Sequence, residues 1–161
     1  MHSAARTHVR PGEGDATWFL GHLFVLKVRG EDTGGRVSVL EHVAAPLPLI
    51  GAPPHIHHRE DEAWYILEGR ATFYVEERVV EAGPGSVVIA RQGQRHWFNN
   101  PGPGPLRMLV MLSPAGFEQF FFELGEPARA HTLPPAPPGP PDVQRLVEVG
   151  KRYGLELLPP S

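Results

Sequence analysis

The chain of 161 residues contains no cysteine. Disulfides, thiolate zinc ribbons and thiol nucleophiles are therefore excluded, and any bound metal must be held by nitrogen and oxygen. Positive charge is also sparse: 15 lysines and arginines against 18 aspartates and glutamates leave a formal net charge of −3. No basic cluster is dense enough to follow a phosphate backbone, so nucleic acid is not an expected partner. No run approaches the ~20 apolar residues of a membrane span, and Met1 to Arg6 lack an apolar stretch of signal-peptide length. A cytoplasmic chain without membrane contact is the expectation. The length suits one core rather than two.

What the chain does have is punctuation, with 19 prolines and 18 glycines. Between these breaks lie short stretches rich in β-branched and aromatic residues: Trp18 to Val28, Val37 to Val43, Glu62 to Leu67, Ala71 to Val75, Arg78 to Val80, Val87 to Ala90, Trp97 to Asn99 and Leu106 to Leu112. Many short strands separated by turns predict an all-β sandwich or barrel. Glu62, Trp64 and Ile66 alternate onto one face, and Trp64, Tyr74, Phe98, Met108 and Val110 are assigned to the interior.

The end of the chain reads differently. Ser113-Pro114 has the form of an N-cap and first helical residue, and Phe117, Phe120, Phe121 and Leu124 recur at helical spacing before Gly125, which predicts a helix over 114–124. A proline-rich linker follows over 127–141. Asp142 then caps a second short helix striped by Val143, Leu146, Val147 and Tyr153 and stopped at Gly154. The expected organisation is an N-terminal arm over 1–16, a barrel over 17–126 and a tail over 142–161 packed on the barrel or on a partner subunit.

The chemistry-bearing segment is Pro54-His55-Ile56-His57-His58-Arg59-Glu60-Asp61-Glu62. Successive strand side chains alternate between faces, so His55 and His57 share a face while Ile56 turns away. A helix would need a spacing of three or four. Glu62 follows at the head of an alternating run, and His96 lies beside a later strand. Three histidines and one carboxylate form a candidate ligand set for a divalent transition metal, namely Mn, Fe, Co, Ni, Cu or Zn, with one or two positions left open. His58 falls on the opposite face from His55. His22 and His42 sit within strands and could line a cavity, with a satisfied polar or surface role as the favoured reading; Asn100 is assigned to bracing a turn, and Arg91 and Arg95 to solvated positions from which one could steer a carboxylate. His2, His8 and His131 lie in tails. Glu60 and Asp61 compete with Glu62 for the metal on chemistry alone.

These residues fall in two blocks that resemble the cupin family. The first family block, His-x-His, three or four residues, Glu, six residues, Gly, matches His55, His57, Glu62 and Gly69, with the upstream glycine at Gly51 nearer than usual. The second matches Gly85, Gly93, His96 and Asn100, with Arg91 where the family has proline. The resemblance covers roughly residues 35 to 113. Glu31 to Gly35, Leu40-Glu41-His42, the His57 to Ala63 segment and Ser113 to Phe117 are similar to bacterial single-domain cupins of the quercetin 2,3-dioxygenase-like group. The resemblance implies a double-stranded β-helix, or jelly-roll barrel, with one or two short C-terminal helices. It implies one metal ion held by His55, His57, Glu62 and His96, and its six-residue spacing to Gly69 selects Glu62 over its neighbours. It further implies a dioxygenase acting on a small enolic or phenolic compound, with Glu62 also taking a substrate proton, and, by analogy, a homodimer. The family equally admits a non-catalytic small-molecule-binding module or a metal-dependent isomerase or hydrolase that uses no oxygen.

Overall fold

Strand-forming sequence between glycine and proline breaks folds as expected into two antiparallel sheets. The computed structural model describes residues 5–47 and 53–159, so Gly51 lies outside the described residues. The strands are β1 (Asp15–Phe19), β2 (His22–Val28), β3 (Ser38–Ala44), β4 (His55–His57), β5 (Asp61–Glu68), β6 (Ala71–Val75), β7 (Arg78–Ala82), β8 (Val87–Ala90), β9 (Arg95–Asn99), β10 (Leu106–Ser113), β11 (Glu126–Pro127) and β12 (Leu155–Leu157). The larger sheet runs β11-β1-β2-β3-β10-β5-β8 and the smaller β12-β4-β9-β6-β7. The architecture is all-β and jelly-roll, with two helices, α1 (Glu118–Leu124) and α2 (Val143–Arg152).

The inner faces of both sheets form the core. Leu40, Trp64, Ile66, Phe73, Phe98, Met108, Val110 and Leu112 are all buried there, each contributing ~1.5–3 kcal/mol through lost apolar exposure. The alternation expected in β5 holds, with Glu62, Trp64 and Ile66 inward. Tyr74 departs from expectation: Phe73 and Val75 occupy the inner face of β6, and Tyr74 stacks outside on Trp97 at 4.5 Å.

Two turns explain local differences from the sequence reading. The run from Trp18 to Val28 is a hairpin rather than one strand, because Leu20 (φ 51°) and Gly21 (φ 83°) form a two-residue turn. At Gly69 (φ 85°) a Cβ would sit 2.9 Å from the Pro105 carbonyl oxygen, so glycine is required where β5 turns toward β6.

Helix α1 begins at Glu118, four residues later than the spacing predicts. Ser113 is not its cap: it is the last residue of β10, paired with Asp61, and its hydroxyl donates to the Arg36 carbonyl (2.9 Å). Glu118 itself accepts hydrogen bonds from the Gly116 N–H (2.6 Å) and the Ser38 hydroxyl (2.9 Å). Asp142 does cap α2, accepting from the Arg145 N–H (3.0 Å). The chain then turns at Gly154 (φ 73°) into β12, a strand absent from the sequence reading, which pairs with β4. Among the described residues no helix is long and apolar enough to cross a membrane.

Candidate metal centre

The ligand strand β4 is three residues long, entered through Pro53-Pro54 and held on both edges, with β12 on one side and β9 on the other. His55 lies opposite His96 in the β4–β9 register, so the two imidazoles come together at 4.3 Å between ring centroids. His57, two residues on, faces the same way. Glu62 arrives from the larger sheet on β5. One carboxylate oxygen, Oε2, lies 3.1 Å from His57 Nε2 and 3.1 Å from His96 Nε2. All four side chains are buried, and their ligand atoms lie within 4.8 Å of one another.

The other ring nitrogens show which atoms are available. Nδ1 of His55 donates to the Pro53 carbonyl (2.7 Å), Nδ1 of His96 to the Gln94 carbonyl (3.0 Å) and Nδ1 of His57 to the Glu60 carboxylate (3.2 Å). Each imidazole therefore presents Nε2 to the shared point, the arrangement in which a metal-binding histidine donates its second N–H to an oxygen. Bonds of about 2.1 Å to a common ion place adjacent ligand atoms about 3 Å apart, which matches both 3.1 Å separations from Glu62. The donor set fits a divalent transition ion.

Electrostatics follow the same geometry. Burial opposes charge on His57, but Glu62 and Glu60 outweigh it and raise its pKa to about 9. Burial, reinforced by His96 and His57, pushes His55 down to about 3. Burial also works against the charge on Glu62, yet His57 and His96 hold it well below the usual carboxylate range. Without metal the cluster keeps a proton on His57 beside an ionised Glu62; a bound cation takes over the neutralising role of that proton.

The cluster opens onto a cavity whose walls are mostly aromatic, including Phe24, Trp64, Phe98 and Phe117. Phe117 meets the His57 ring edge-on at 4.3 Å. Leu146 of α2 and Leu155 and Leu157 of β12 also line it, so the C-terminal segment forms part of the wall. His58 is outside, 2.7 Å from Glu156, and Asn100 braces the 100–104 turn through Ala44, Gly102 and Gly104. Arg95 packs over Trp97, and Asp61 accepts from the Gln92 N–H outside the cluster.

Two points refine the sequence reading. His22 and His42 are buried and line the cavity, the less favoured of the two roles the sequence allowed them. Glu60 is a buried partner of a ligand histidine rather than a competitor for the metal; its position three residues after His57, beyond the end of a short strand, is the one signal that could have suggested this.

Comparison with known proteins agrees with the geometry. Residues 49–112 match the family described as the cupin domain. The chain carries a cupin domain. Quercetin 2,3-dioxygenase of Bacillus subtilis is 29% identical over 126 residues, 78% of this chain but 36% of that protein, so the cupin spans about a third of the length of this curated relative. Among solved structures, a predicted oxalate decarboxylase from Thermotoga maritima superimposes with a TM-score of 0.60 at 20% identity, covering 67% of this chain and 99% of that one. A Streptomyces PAC13 variant with uridine gives a TM-score of 0.55 at 16% identity, over 81% of this chain and 94% of the other. At these identities the structural likenesses establish the fold of this cupin.

Proposed function

We propose that this cupin is a metal-dependent dioxygenase acting on a small enolic or phenolic compound that chelates the ion through adjacent oxygens. The observation that carries the reading is the convergence of His55, His57, His96 and Glu62, each histidine braced through Nδ1, at the wall of an aromatic cavity. A bound divalent ion supplies Lewis acidity toward an enolate or phenolate oxygen and, when redox-active, a site for dioxygen. The chain's own residues do the rest. The three histidines fix the donor geometry. Glu62 touches both His57 and His96 through Oε2, and its second oxygen takes the substrate hydroxyl proton. The aromatic walls exclude water and favour a flat, apolar ring. The resemblance to quercetin 2,3-dioxygenase supports this substrate class.

The test is elemental analysis of freshly purified, untagged chain with His96→Ala beside it, followed by oxygen uptake with flavonols and hydroxy-ketones. About one Mn, Fe, Co, Ni or Cu per chain, lost in His96→Ala, together with uptake that Glu62→Gln abolishes while retaining metal, supports the proposal. Zinc without oxygen uptake transfers the site to non-oxidative chemistry or to ligand binding, and equal metal in parent and His96→Ala removes the site assignment.

A homodimer is proposed from the outer face of the larger sheet. Val39, Met111, Ala63 and Ile89 stand in register across β3, β10, β5 and β8, and Leu109, Tyr65 and Val87 form a second apolar row. Val87, Ile89 and Tyr65 are exposed in the isolated chain. Continuous apolar rows of this kind are characteristic of surfaces covered by a partner, and an isologous pair would cover both copies at once.

A further inference from the structure

His42 reaches the cavity from β3 in the larger sheet, facing the smaller sheet that carries the three ligand histidines. Its ring is 3% exposed. It stacks on Phe24 at 4.0 Å, meets Phe98 edge-on at 5.7 Å and lies 5.3 Å from the His22 ring. Its Nε2 is buried and has no hydrogen-bond partner among the described residues. A buried imidazole nitrogen in that state has given up its hydration without compensation. Leucine or phenylalanine would pack the same aromatic surroundings with no such penalty, so packing alone does not account for a histidine here.

The chemistry of the cavity narrows what such a nitrogen could hold. None of the described side chains lining it is lysine or arginine, so a second carboxylate or phosphate on a ligand would find no permanent cation. Burial above all, with help from His22 and against a weaker pull from Glu62, holds the His42 pKa well below the usual histidine range. A neutral imidazole offers one N–H donor and one lone pair, which suits an uncharged hydroxyl or carbonyl.

We propose that His42 is a second polar contact for the ligand, holding a neutral hydroxyl or carbonyl oxygen of a ring compound whose other edge reaches the His55, His57, Glu62 and His96 cluster. This rests on the reading of the cluster as a metal site that takes a hydroxy-ketone or enediol edge. The two contacts select together: the metal wall takes the chelating edge, and His42 selects among chelators by what they carry across the ring. His42 is thus a specificity-determining residue that touches the ligand away from the reacting atoms.

Kojic acid and allomaltol separate the two contacts. Both present the same hydroxy-ketone edge, but kojic acid carries a hydroxyl on a side arm where allomaltol has only a methyl group. Dissociation constants are measured anaerobically on the chain loaded with the divalent ion it retains, with metal content checked for every variant. The parent is expected to bind kojic acid about tenfold more tightly than allomaltol, the worth of one neutral hydrogen bond in an apolar cavity. In His42→Leu the ratio should fall to about one while allomaltol affinity holds, and His42→Gln, which keeps a donor and an acceptor, should recover part of it. A nitrogen-15 resonance of the His42 ring in the parent should move with kojic acid and not with allomaltol, which keeps the test open even if a variant fails to fold.

Equal affinities in the parent, or a ratio that persists in His42→Leu with metal retained, overturns the role of His42 while leaving the metal-site reading intact. Failure of both compounds to bind the metal-loaded parent overturns the hydroxy-ketone reading of the cluster, and the proposed ligand class falls with it.

Discussion

Replacing Glu60 with glutamine removes one charge and leaves the side chain almost unchanged in length. Glu60 is 5% exposed, and its Oε2 lies 3.2 Å from His57 Nδ1, so the bond is made away from solvent screening and fixes the ring that presents Nε2 to the cluster. An oxygen partner behind a metal-binding histidine is typically worth 10–100-fold in metal affinity, or about 1.4–2.8 kcal/mol at 1.4 kcal/mol per decade. Glutamine retains an acceptor oxygen but lacks the negative charge that raises the basicity of the imidazole. The expected loss therefore lies toward the lower end, about tenfold.

The assay is competition for the retained ion against a chelating dye at fixed pH, with Asp61→Asn as the control. Asp61 is the adjacent carboxylate, exposed, with its side chain accepting from the Gln92 N–H at 2.8 Å outside the cluster, so it reports the general effect of removing a nearby charge. At saturating metal the same loss should lower the melting temperature of Glu60→Gln relative to parent by about 3–6 °C, from about 2–4 °C per kcal/mol for a chain of this size. Metal affinity within twofold of parent, or an equal loss in Asp61→Asn, would falsify the assignment of Glu60 as the residue that orients His57.

Phe117→Ala removes a side chain 3% exposed that packs on His57, Phe120 and Phe121. It should cost about 3–5 kcal/mol in chemical denaturation and weaken metal binding by freeing the His57 ring, and an unchanged denaturation midpoint would contradict that packing. Asp32 accepts from the Arg6 and Arg29 backbones and pairs with both guanidinium groups; the Arg29 hydrogen bond chiefly holds its pKa well below normal against burial. Its stabilisation is present above the unfolded pKa of about 3.9 and fades as pH falls below that value. The urea-midpoint gap between parent and Asp32→Asn should therefore be full at neutral pH and shrink in acid; a gap of constant size would refute the ion-pair account. Light scattering should give a dimer mass for the parent and a monomer mass for Ile89→Lys, and a monomeric parent removes the proposed interface.

The cluster was legible in sequence because strand alternation converts spacing into facing. His55 and His57, one residue apart, had to share a face, and Glu62 was tied by the same rule to Trp64 and Ile66, which burial confirms. The rule fails where both faces of a strand look alike. In β6 the neighbours Phe73 and Tyr74 are both aromatic, so the pattern carries no phase, and the inner position belongs to Phe73. His22 and His42 are polar residues in strands that also carry Lys27, Ser38 and Glu41, so a polar residue on an inner face is not told from an outward one until the cavity behind it is known. Leu20 hid the β1–β2 turn for the opposite reason: an apolar residue with positive φ gives no turn signal.

The least legible element is the one that steadies the ligands. A three-residue strand such as β4 has little stability of its own, and its position depends on being paired along both edges. One edge is supplied by β9, which brings His96. The other is supplied by β12, whose Leu-Glu-Leu sequence carries no local signal distinguishing it from the end of a tail. Its identity comes only from pairing: His55, Ile56 and His57 lie opposite Leu157, Glu156 and Leu155, and the register is locked by the His58 N–H on the Gly154 carbonyl (2.9 Å), the Leu158 N–H on the Pro54 carbonyl (2.9 Å) and the His58–Glu156 contact (2.7 Å). Glu156 is 98 positions from its partner His58, far outside any window in which periodicity operates. The residues that bear the chemistry announce themselves by type and spacing, whereas the residues that hold them in place are recognisable only once the two sheets have closed.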